Sequence, residues 1–400
     1  MRRKGGCKVT LALKRGKFYT ITGGIVEDGM MLVEGGKIRA MGKDLPVPPG
    51  AEVLDVAGKS ITPGFMDCHA HVGMAPEQVD WEYGDANETT DAVTGHVRAI
   101  DGLDWDDKGF ADAVEGGVTT LLIHPGSSNV IGGTDLIVKT AGPMASRVLR
   151  NPAGMKMAWT AAGKSGHWKG GKYQYPTTRM GIAGILRSQL LAAKQYLEKK
   201  EKAKEEGKEP PDVDARDELM LEVLARVLKR EIPARIHSMT PVDILAILRI
   251  KEEFGIDCTV DHGDEAHMIA DQLKAAGVPV IFGPWLGDRE QKRYPYSNPR
   301  VPQYLARAGV LTAIMTDHPV VSIRDLRLQA GITCRYGLDE KTALEMITIN
   351  AARIMGLDSR LGSLEPGKDA DFVVFSGHPL ESMSRVEAVY IDGANVLGGR

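Results

Sequence analysis

Short apolar runs alternate with amphipathic stretches along most of this 400-residue chain. Apolar runs bounded by turn residues are typical of buried strands, whereas apolar positions spaced by three and four residues are typical of helices. The strand-like runs are residues 61–71, 118–124, 136–140, 155–159, 234–237, 257–262, 278–282 and 310–317. Helical patterns fill most of the gaps between them. Eight strands alternating with helices predict an α/β fold, a (β/α)8 TIM-like barrel.

Both ends of the chain have a different pattern, in which strand-like segments are separated by glycine-rich turns. These segments are residues 18–21, 31–34, 37–40, 370–375 and 386–391. Turns such as Gly35-Gly36 and Asp392-Gly393 favour hairpins. Because neither end alone supplies enough strands to be stable, we predict that the two ends pair into one small composite β-sandwich.

These patterns predict a chain of three parts. Residues 1–13 form an N-terminal extension, residues 14–61 and 358–400 form the composite β-sandwich, and residues 62–357 form the barrel. One large barrel with a small appendage fits a length of 400 residues as well as two or three average domains would. A hydrophobic content of 43% is ample for the core of such a barrel.

Composition and charge argue against several classes of partner. A net charge of −3 gives no case for binding to nucleic acid or to an anionic membrane. No stretch approaches the length of a membrane span, and the basic N-terminus lacks the apolar segment of a signal peptide. The four cysteines are scattered without CxxC spacing, which suggests a reducing environment and a cytoplasmic location.

Candidate chemistry begins at the end of the first barrel strand, in the sequence Asp67-Cys68-His69-Ala70-His71. Two histidines separated by one residue project from the same face of a strand, so both imidazoles can reach one divalent ion. His237, His262 and Asp317 each end a later apolar run, at the strand ends where barrels of this type carry their chemistry. Nitrogen and oxygen ligands without a thiolate suit zinc or a similar ion. The pattern indicates a hydrolase site for a small-molecule substrate.

Two other classes of protein use an HxH motif. A cupin places a carboxylate close behind the motif in a small all-β domain, but Glu77 comes late here and helical sequence follows. A metallo-β-lactamase-type site requires an aspartate two residues after the second histidine, where this chain has Gly73. Packing at a strand end is the usual role of a lone histidine pair. That interpretation weakens here, because three more strand-end ligands follow in order.

Five longer stretches carry a family resemblance, and they are residues 63–71, 117–120, 316–319, 348–357 and 362–373. Together they resemble the amidohydrolase superfamily, in particular its imidazolonepropionase-like branch. The resemblance covers about residues 14–400. It implies a distorted barrel with a composite β-sandwich, in agreement with the predicted strands and helices.

The resemblance also implies a set of metal ligands. They are the first-strand histidines, the histidines of strands five and six, and an aspartate of strand eight, here His69, His71, His237, His262 and Asp317. Binuclear members also use a carboxylated lysine on strand four, and Lys156 stands at that place. Lys139 on the preceding strand is a rival, and a lysine in a salt bridge is the plainer alternative. The implied cofactor is one or two divalent ions, with zinc favoured.

The reaction that follows from these ligands is hydrolysis of a C–N bond in an amide or cyclic amide. Metal binding lowers the pKa of a bound water, and Asp317 moves its proton to the departing nitrogen. A mononuclear deaminase of a heterocycle and a non-catalytic homologue are the alternatives. Deaminases of this superfamily place a glutamate three residues after the strand-five histidine, where this chain has Thr240. Non-catalytic homologues usually lose ligands that this chain keeps.

Weaker expectations concern the surroundings of the site. His124, Arg179 and His318 are candidate substrate contacts. His124 and His318 lie at predicted strand ends, and Arg179 is placed at a helix N-terminus, from which it could clamp a substrate carboxylate. The glycine-rich stretch 160–179 is long enough to shape a pocket. The acidic stretch 77–91 borders the pocket, contacts another copy in a homo-oligomer, or forms an ordinary solvated loop.

Overall fold

The computed structural model describes residues 10–75, 84–159, 175–286 and 295–398. Of the extension predicted for residues 1–13, residues 1–9 therefore lie outside the described residues. The same holds for residues 77–83 of the acidic stretch and residues 160–174 of the glycine-rich stretch.

The strands alternate with helices in the middle of the chain and follow one another at its ends. The strands are β1 (Thr10–Tyr19), β2 (Ile25–Glu34), β3 (Lys37–Gly42), β4 (Glu52–Asp55), β5 (Ser60–Pro63), β6 (Phe65–Ala70), β7 (Val118–Ile123), β8 (Ile131–Lys139), β9 (Val148–Ala158), β10 (Ala234–Ser238), β11 (Cys258–His262), β12 (Val280–Phe282), β13 (Thr312–Ile314), β14 (Phe372–Phe375), β15 (Val386–Ile391) and β16 (Ala394–Asn395). The helices are α1 (Lys108–Glu115), α2 (Met144–Arg147), α3 (Arg179–Glu205), α4 (Ala215–Leu228), α5 (Pro241–Phe254), α6 (Ala270–Ala276), α7 (Val301–Arg307), α8 (Leu326–Arg335), α9 (Glu340–Met346) and α10 (Ile349–Met355). None of these described helices combines the length and apolarity needed to cross a membrane.

Both ends of the chain contribute to one eight-stranded sheet. Its order is β16-β15-β14-β5-β1-β2-β3, with β4 beside β1, and β14 pairs antiparallel with β5. Phe18 from one end and Phe372 from the other share its apolar core, so the predicted union of the two ends is confirmed. The first strand begins at Thr10, earlier than the predicted boundary at residue 14, because Leu11 and Leu13 are buried in the same core.

The second eight-stranded sheet forms the barrel, and its order is β6 to β13 in sequence. The pair β6–β7 and every pair from β9 to β13 are parallel, which confirms the TIM-like barrel. Strand β8 differs, because it runs antiparallel to both neighbours. The predicted regular alternation of strand and helix is therefore wrong at β8. Residues 124–130 are too few for the connection of about a dozen residues that two parallel strands require, so β8 returns antiparallel to β7.

Asp67 joins the first barrel strand to the last. Its Oδ2 accepts hydrogen bonds from Thr316 N at 2.9 Å and Thr316 Oγ1 at 2.7 Å, and its Oδ1 accepts one from His69 N at 3.0 Å. Burial raises the pKa of Asp67 to about 6, although these hydrogen bonds lower it. One residue further along, Asp317 N donates to His69 O at 3.2 Å. The closure therefore sets Asp317 beside the two strand-end histidines of β6.

Lys139 ties the barrel to the sheet made by the chain ends. Its Nζ lies 3.1 Å from Asp369, 3.0 Å from Asp371 and 2.6 Å from Asp392. Lys139 ends the reversed strand β8 and pairs with Thr120 near the beginning of β7. It therefore lies at the opposite end of the barrel from the carboxyl ends of the parallel strands.

We predict that Lys139→Ala destabilises the protein by about 3–5 kcal/mol, because it leaves the buried carboxylate of Asp371 without its cation. Asp369 and Asp371 have side chains only 1% and 2% exposed. Urea unfolding followed by circular dichroism measures the loss. Lys37→Ala is the matched control, since Lys37 also pairs with Asp369 but is 48% exposed, and it should cost less than about 1 kcal/mol. Equal losses in the two variants would contradict the prediction.

Candidate metal centre

The HxH pair meets the strand-eight aspartate at the carboxyl end of the barrel. His69 Nε2 lies 3.3 Å and His71 Nε2 lies 3.2 Å from Asp317 Oδ1, a grouping compact enough to hold a metal ion. Burial raises the pKa of Asp317, but its contacts with His69 and His71 outweigh burial and hold it well below the usual range. A carboxylate therefore faces two imidazole nitrogens.

The rings of the two later histidines lie beside this group in edge-to-face contacts. The ring centroids of His237 and His262 are 4.0 Å apart, and those of His69 and His262 are 5.1 Å apart. Burial lowers the pKa of His262 to about 3, and burial together with His262 lowers that of His237 well below its usual range. Both imidazoles are therefore neutral, which is the form that binds metal.

Two of these residues have an unusual backbone conformation. His262 has a φ of +75° and Asp317 a φ of +52°, in the left-handed region that residues other than glycine seldom adopt. Strained conformations of this kind cluster at functional sites, where the surrounding structure enforces them. His262 is the last residue of β11, and Asp317 follows the end of β13 by three residues.

Lys156 reaches the same cluster from β9. Its Nζ lies 3.3 Å from His69 Nε2, and the side chain is fully buried. Burial lowers its pKa, against the opposing effect of Asp261 and Asp317. The rival Lys139 is bound by three aspartates at the other end of the barrel. Of the two predicted lysines, the structure brings only Lys156 to the histidines.

Asp261 supports His69 from behind and was not selected by sequence analysis. His69 Nδ1 donates to Asp261 Oδ2 at 2.9 Å, and Thr259 Oγ1 donates to Asp261 Oδ1 at 2.7 Å. Strand alternation alone would place Asp261 and His262 on opposite faces. The left-handed turn at His262 removes that restriction, so both residues contact His69.

His124 lies behind the ligands and is fully buried. Its ring is 4.5 Å from that of His69, its Nε2 donates to Cys68 O at 3.1 Å, and its carbonyl accepts from His71 Nδ1 at 2.8 Å. His69, His124 and Asp261 also lie close enough together to hold a metal. His69 Nδ1 and His124 Nε2 already donate within the protein. The structure therefore gives His124 a supporting position and not the predicted contact with substrate.

The other two candidate substrate contacts have structural partners. Arg179 forms an ion pair with Asp243 in the first turn of α5. His318 is 1% exposed, its Nδ1 accepts from Ile323 N at 3.2 Å, and its carbonyl accepts from His71 N at 2.9 Å. These contacts fix the ends of the strands and the turns that follow them.

The donor set fits a divalent ion. It consists of imidazole nitrogens and a carboxylate, which suit zinc and similar ions. His262 Nε2 is buried and has no hydrogen-bond partner among the described residues. Buried polar atoms nearly always have a partner, so an ion at this place would supply the one that His262 lacks.

Comparisons with known proteins agree with this geometry. The model of the amidohydrolase family matches residues 60–396. The crystal structure of an amidohydrolase from Thermotoga maritima is 41% identical, with a TM-score of 0.92 over 96% of this chain and 99% of that chain. An imidazolonepropionase from Mesorhizobium japonicum is 27% identical over 94% of this chain and 92% of the relative. The amidohydrolase tasK from Hapsidospora irregularis is 30% identical over 91% of this chain, which spans only 39% of tasK.

The fold and the site define a hydrolase of C–N bonds that depends on a divalent metal. The chain belongs to the amidohydrolase family and is an imidazolonepropionase-like member of it. Both the resemblance predicted from the sequence and the class of reaction are confirmed.

The deaminase alternative finds no support at the position where it requires a glutamate. Thr240 stands three residues after His237, and its Oγ1 donates to Asp243 Oδ2 at 2.7 Å. The same hydroxyl caps the N-terminus of α5 by accepting from Asp243 N. A helix cap therefore occupies the place of the deaminase glutamate. A non-catalytic homologue is equally disfavoured, since the ligands are present and converge.

We predict that Asp261→Asn weakens metal binding by about 10- to 100-fold, because the ring of His69 loses the carboxylate that orients it. Competition with a zinc-sensitive dye measures the affinity. Asp243→Asn is the matched control, because Asp243 is also a buried aspartate but pairs with Arg179. Unchanged affinity in Asp261→Asn, or an equal loss in the control, would contradict the proposed support.

Proposed function

We propose that this chain hydrolyses the amide or cyclic amide bond of a small molecule with two zinc ions. The proposed ligands are His69, His71, Lys156, His237, His262 and Asp317. The observation that carries this proposal is the convergence of Lys156, His69, His71 and Asp317 at one end of the barrel, with separations of 3.2–3.3 Å between their polar atoms.

Lys156 is proposed to act as a carboxylated lysine between the two ions. A bare ammonium group would repel a cation, whereas its carbamate offers two anionic oxygens, which are suitable ligands. The complete burial of Lys156 beside His69 supports this role, because an uncompensated cation at such a place is costly.

Asp317 is proposed to move the proton. Bound zinc supplies a water of lowered pKa and polarises the substrate carbonyl. The carboxylate of Asp317 takes the proton of the attacking water and gives it to the departing nitrogen, as general base and then general acid. Its backbone is fixed to His69 by the hydrogen bond from Asp317 N, so the carboxylate keeps its position in both steps.

The candidate substrates are cyclic amides, N-acyl amino acids and dipeptides. The similarity to an imidazolonepropionase over nearly the full length of both chains supports a cyclic amide among them. The substrate of tasK is a weaker guide, because this chain matches only 39% of that protein. We propose a cytoplasmic location, supported by the free thiols of Cys68, Cys258 and Cys334.

We predict about two zinc ions per chain in the wild type and about one in Lys156→Ala, when both are loaded with zinc and bicarbonate. Removal of the carbamate takes away the ligand that the two ions share. Mass spectrometry of metals in desalted protein gives the content. Propionate added to Lys156→Ala is the control, because a small carboxylate can enter the space and restore the second ion. One ion in both proteins would contradict the bridge and favour a mononuclear hydrolase.

We predict that Asp317→Asn lowers kcat by at least about 100-fold, while its metal content falls much less. An amide can keep the contacts of the carboxylate but cannot carry the proton. Turnover of the best substrate from the amide panel and metal analysis of the same sample test this. Asp325→Asn, in the turn after β13, is the control and should leave both values unchanged. Loss of metal in proportion to loss of turnover would contradict a proton-transfer role.

A further inference from the structure

The loop between β7 and β8 brings a hydroxyl group to the metal centre. Ser127 Oγ lies 2.9 Å from His237 Nδ1. The loop leaves the carboxyl end of β7, which is the face of a barrel where substrates bind. Sequence analysis gives this residue no role, because serine in a Gly/Ser stretch is typical of an ordinary turn.

A second segment, residues 86–91, holds this loop in place. Gly126 N donates to Ala86 O, and Ser128 N donates to Asn87 Oδ1 at 3.0 Å. A Cβ atom at Gly126 would lie 2.3 Å from the side-chain amide of Asn87, so a larger residue here would displace that amide. The contact fixes the backbone on both sides of Ser127.

Asn129 completes the attachment of the loop. Its side chain is 2% exposed, and its Nδ2 donates to the carbonyls of Glu88 and Asp91. A buried amide that makes two hydrogen bonds to the neighbouring segment resists displacement. The position of the Ser127 backbone is therefore set by packing before any ligand arrives.

Ser127 differs from the groups that orient the other histidines. Asp261 behind His69 and His124 behind His71 are completely buried. Ser127 is only half-buried, in a loop at the open end of the barrel. A hydroxyl can donate as well as accept, so this group can turn from His237 towards a molecule bound in the mouth.

We infer that Ser127 is a substrate-binding residue, whose hydroxyl donates a hydrogen bond to an oxygen of the substrate held beside His237 and His262. The inference rests on the proposed hydrolysis of an amide, because the oxygen in question is the one that gains negative charge when the carbonyl is attacked. Donors placed at such an oxygen stabilise the transition state more than the ground state.

The test compares Ser127→Ala with Ser128→Ala in zinc-loaded protein. Ser128 is the matched control, because it is the adjacent half-buried serine and it contacts Asn87 through its backbone N, which the substitution keeps. Calorimetry with inorganic phosphate, a tetrahedral oxyanion without a substrate side chain, measures binding. Metal analysis and kcat/KM on the best amide substrate are recorded for the same samples.

Ser127→Ala should bind phosphate and turn over the substrate about 10- to 100-fold less well, with unchanged zinc content. Ser128→Ala should stay within about twofold of the wild type, and Ser127→Thr, which keeps the hydroxyl, should recover most of the loss. Unchanged phosphate binding and turnover in Ser127→Ala would overturn the inference. Loss of zinc in that variant would also overturn it, because the hydroxyl would then act only by orienting His237.

The wild type separates this inference from the proposed function. A wild-type protein that holds zinc but neither binds phosphate nor hydrolyses any amide of the panel would remove both. A wild type that hydrolyses an amide, together with a fully active Ser127→Ala, would remove the role of Ser127 alone. Retained hydrolysis with selective loss in Ser127→Ala supports both.

Discussion

The closure of the barrel between β13 and β6 is the constraint on which the rest of the site depends. Asp67 is completely buried, and its carboxylate accepts hydrogen bonds from the backbone N and hydroxyl of Thr316 and from the backbone N of His69. The two hydrogen bonds from Thr316 join residues 249 positions apart in sequence. A buried carboxylate without such partners would be strongly destabilising. The position of Asp317 against the HxH pair follows from this closure, so the stability of the barrel and the geometry of the ligands have the same origin.

The barrel has a buried lysine near each end, and the two lysines differ in the groups that surround them. Lys139 lies among the carboxylates of Asp369, Asp371 and Asp392, which compensate it fully and join the barrel to the second sheet. Lys156 has imidazoles as neighbours, and Asp261 approaches it only to 3.9 Å. The first arrangement is that of a stable structural ion group, whereas the second leaves a cation poorly matched to its site. This difference is the physical basis for giving Lys156 chemistry and Lys139 a structural role.

The ligands are supported by two kinds of neighbour. Completely buried groups, such as the Asp261 carboxylate and the His124 carbonyl, accept hydrogen bonds from His69 and His71 and keep the remaining nitrogens turned towards Asp317. On the open side, loops after the strands bring groups such as the Ser127 hydroxyl. Buried groups behind the histidines hold the site rigid, whereas the loops at the open end of the barrel can differ between relatives. This division explains how one family can act on many substrates with one kind of site.

The sequence by itself determined the class of fold and the union of the two chain ends, and it predicted the strand-end residues that are candidate ligands. It could do so because periodicity and residue identity at strand ends are local properties. The tertiary structure alone decided the reversed direction of β8, and with it the choice between Lys139 and Lys156, since strand direction depends on pairing partners and not on the strand's own residues. It also placed Asp261 beside His69 and Ser127 beside His237. Their contacts with His69 and His237 span 192 and 110 residues of sequence, and no local pattern records contacts between such distant positions.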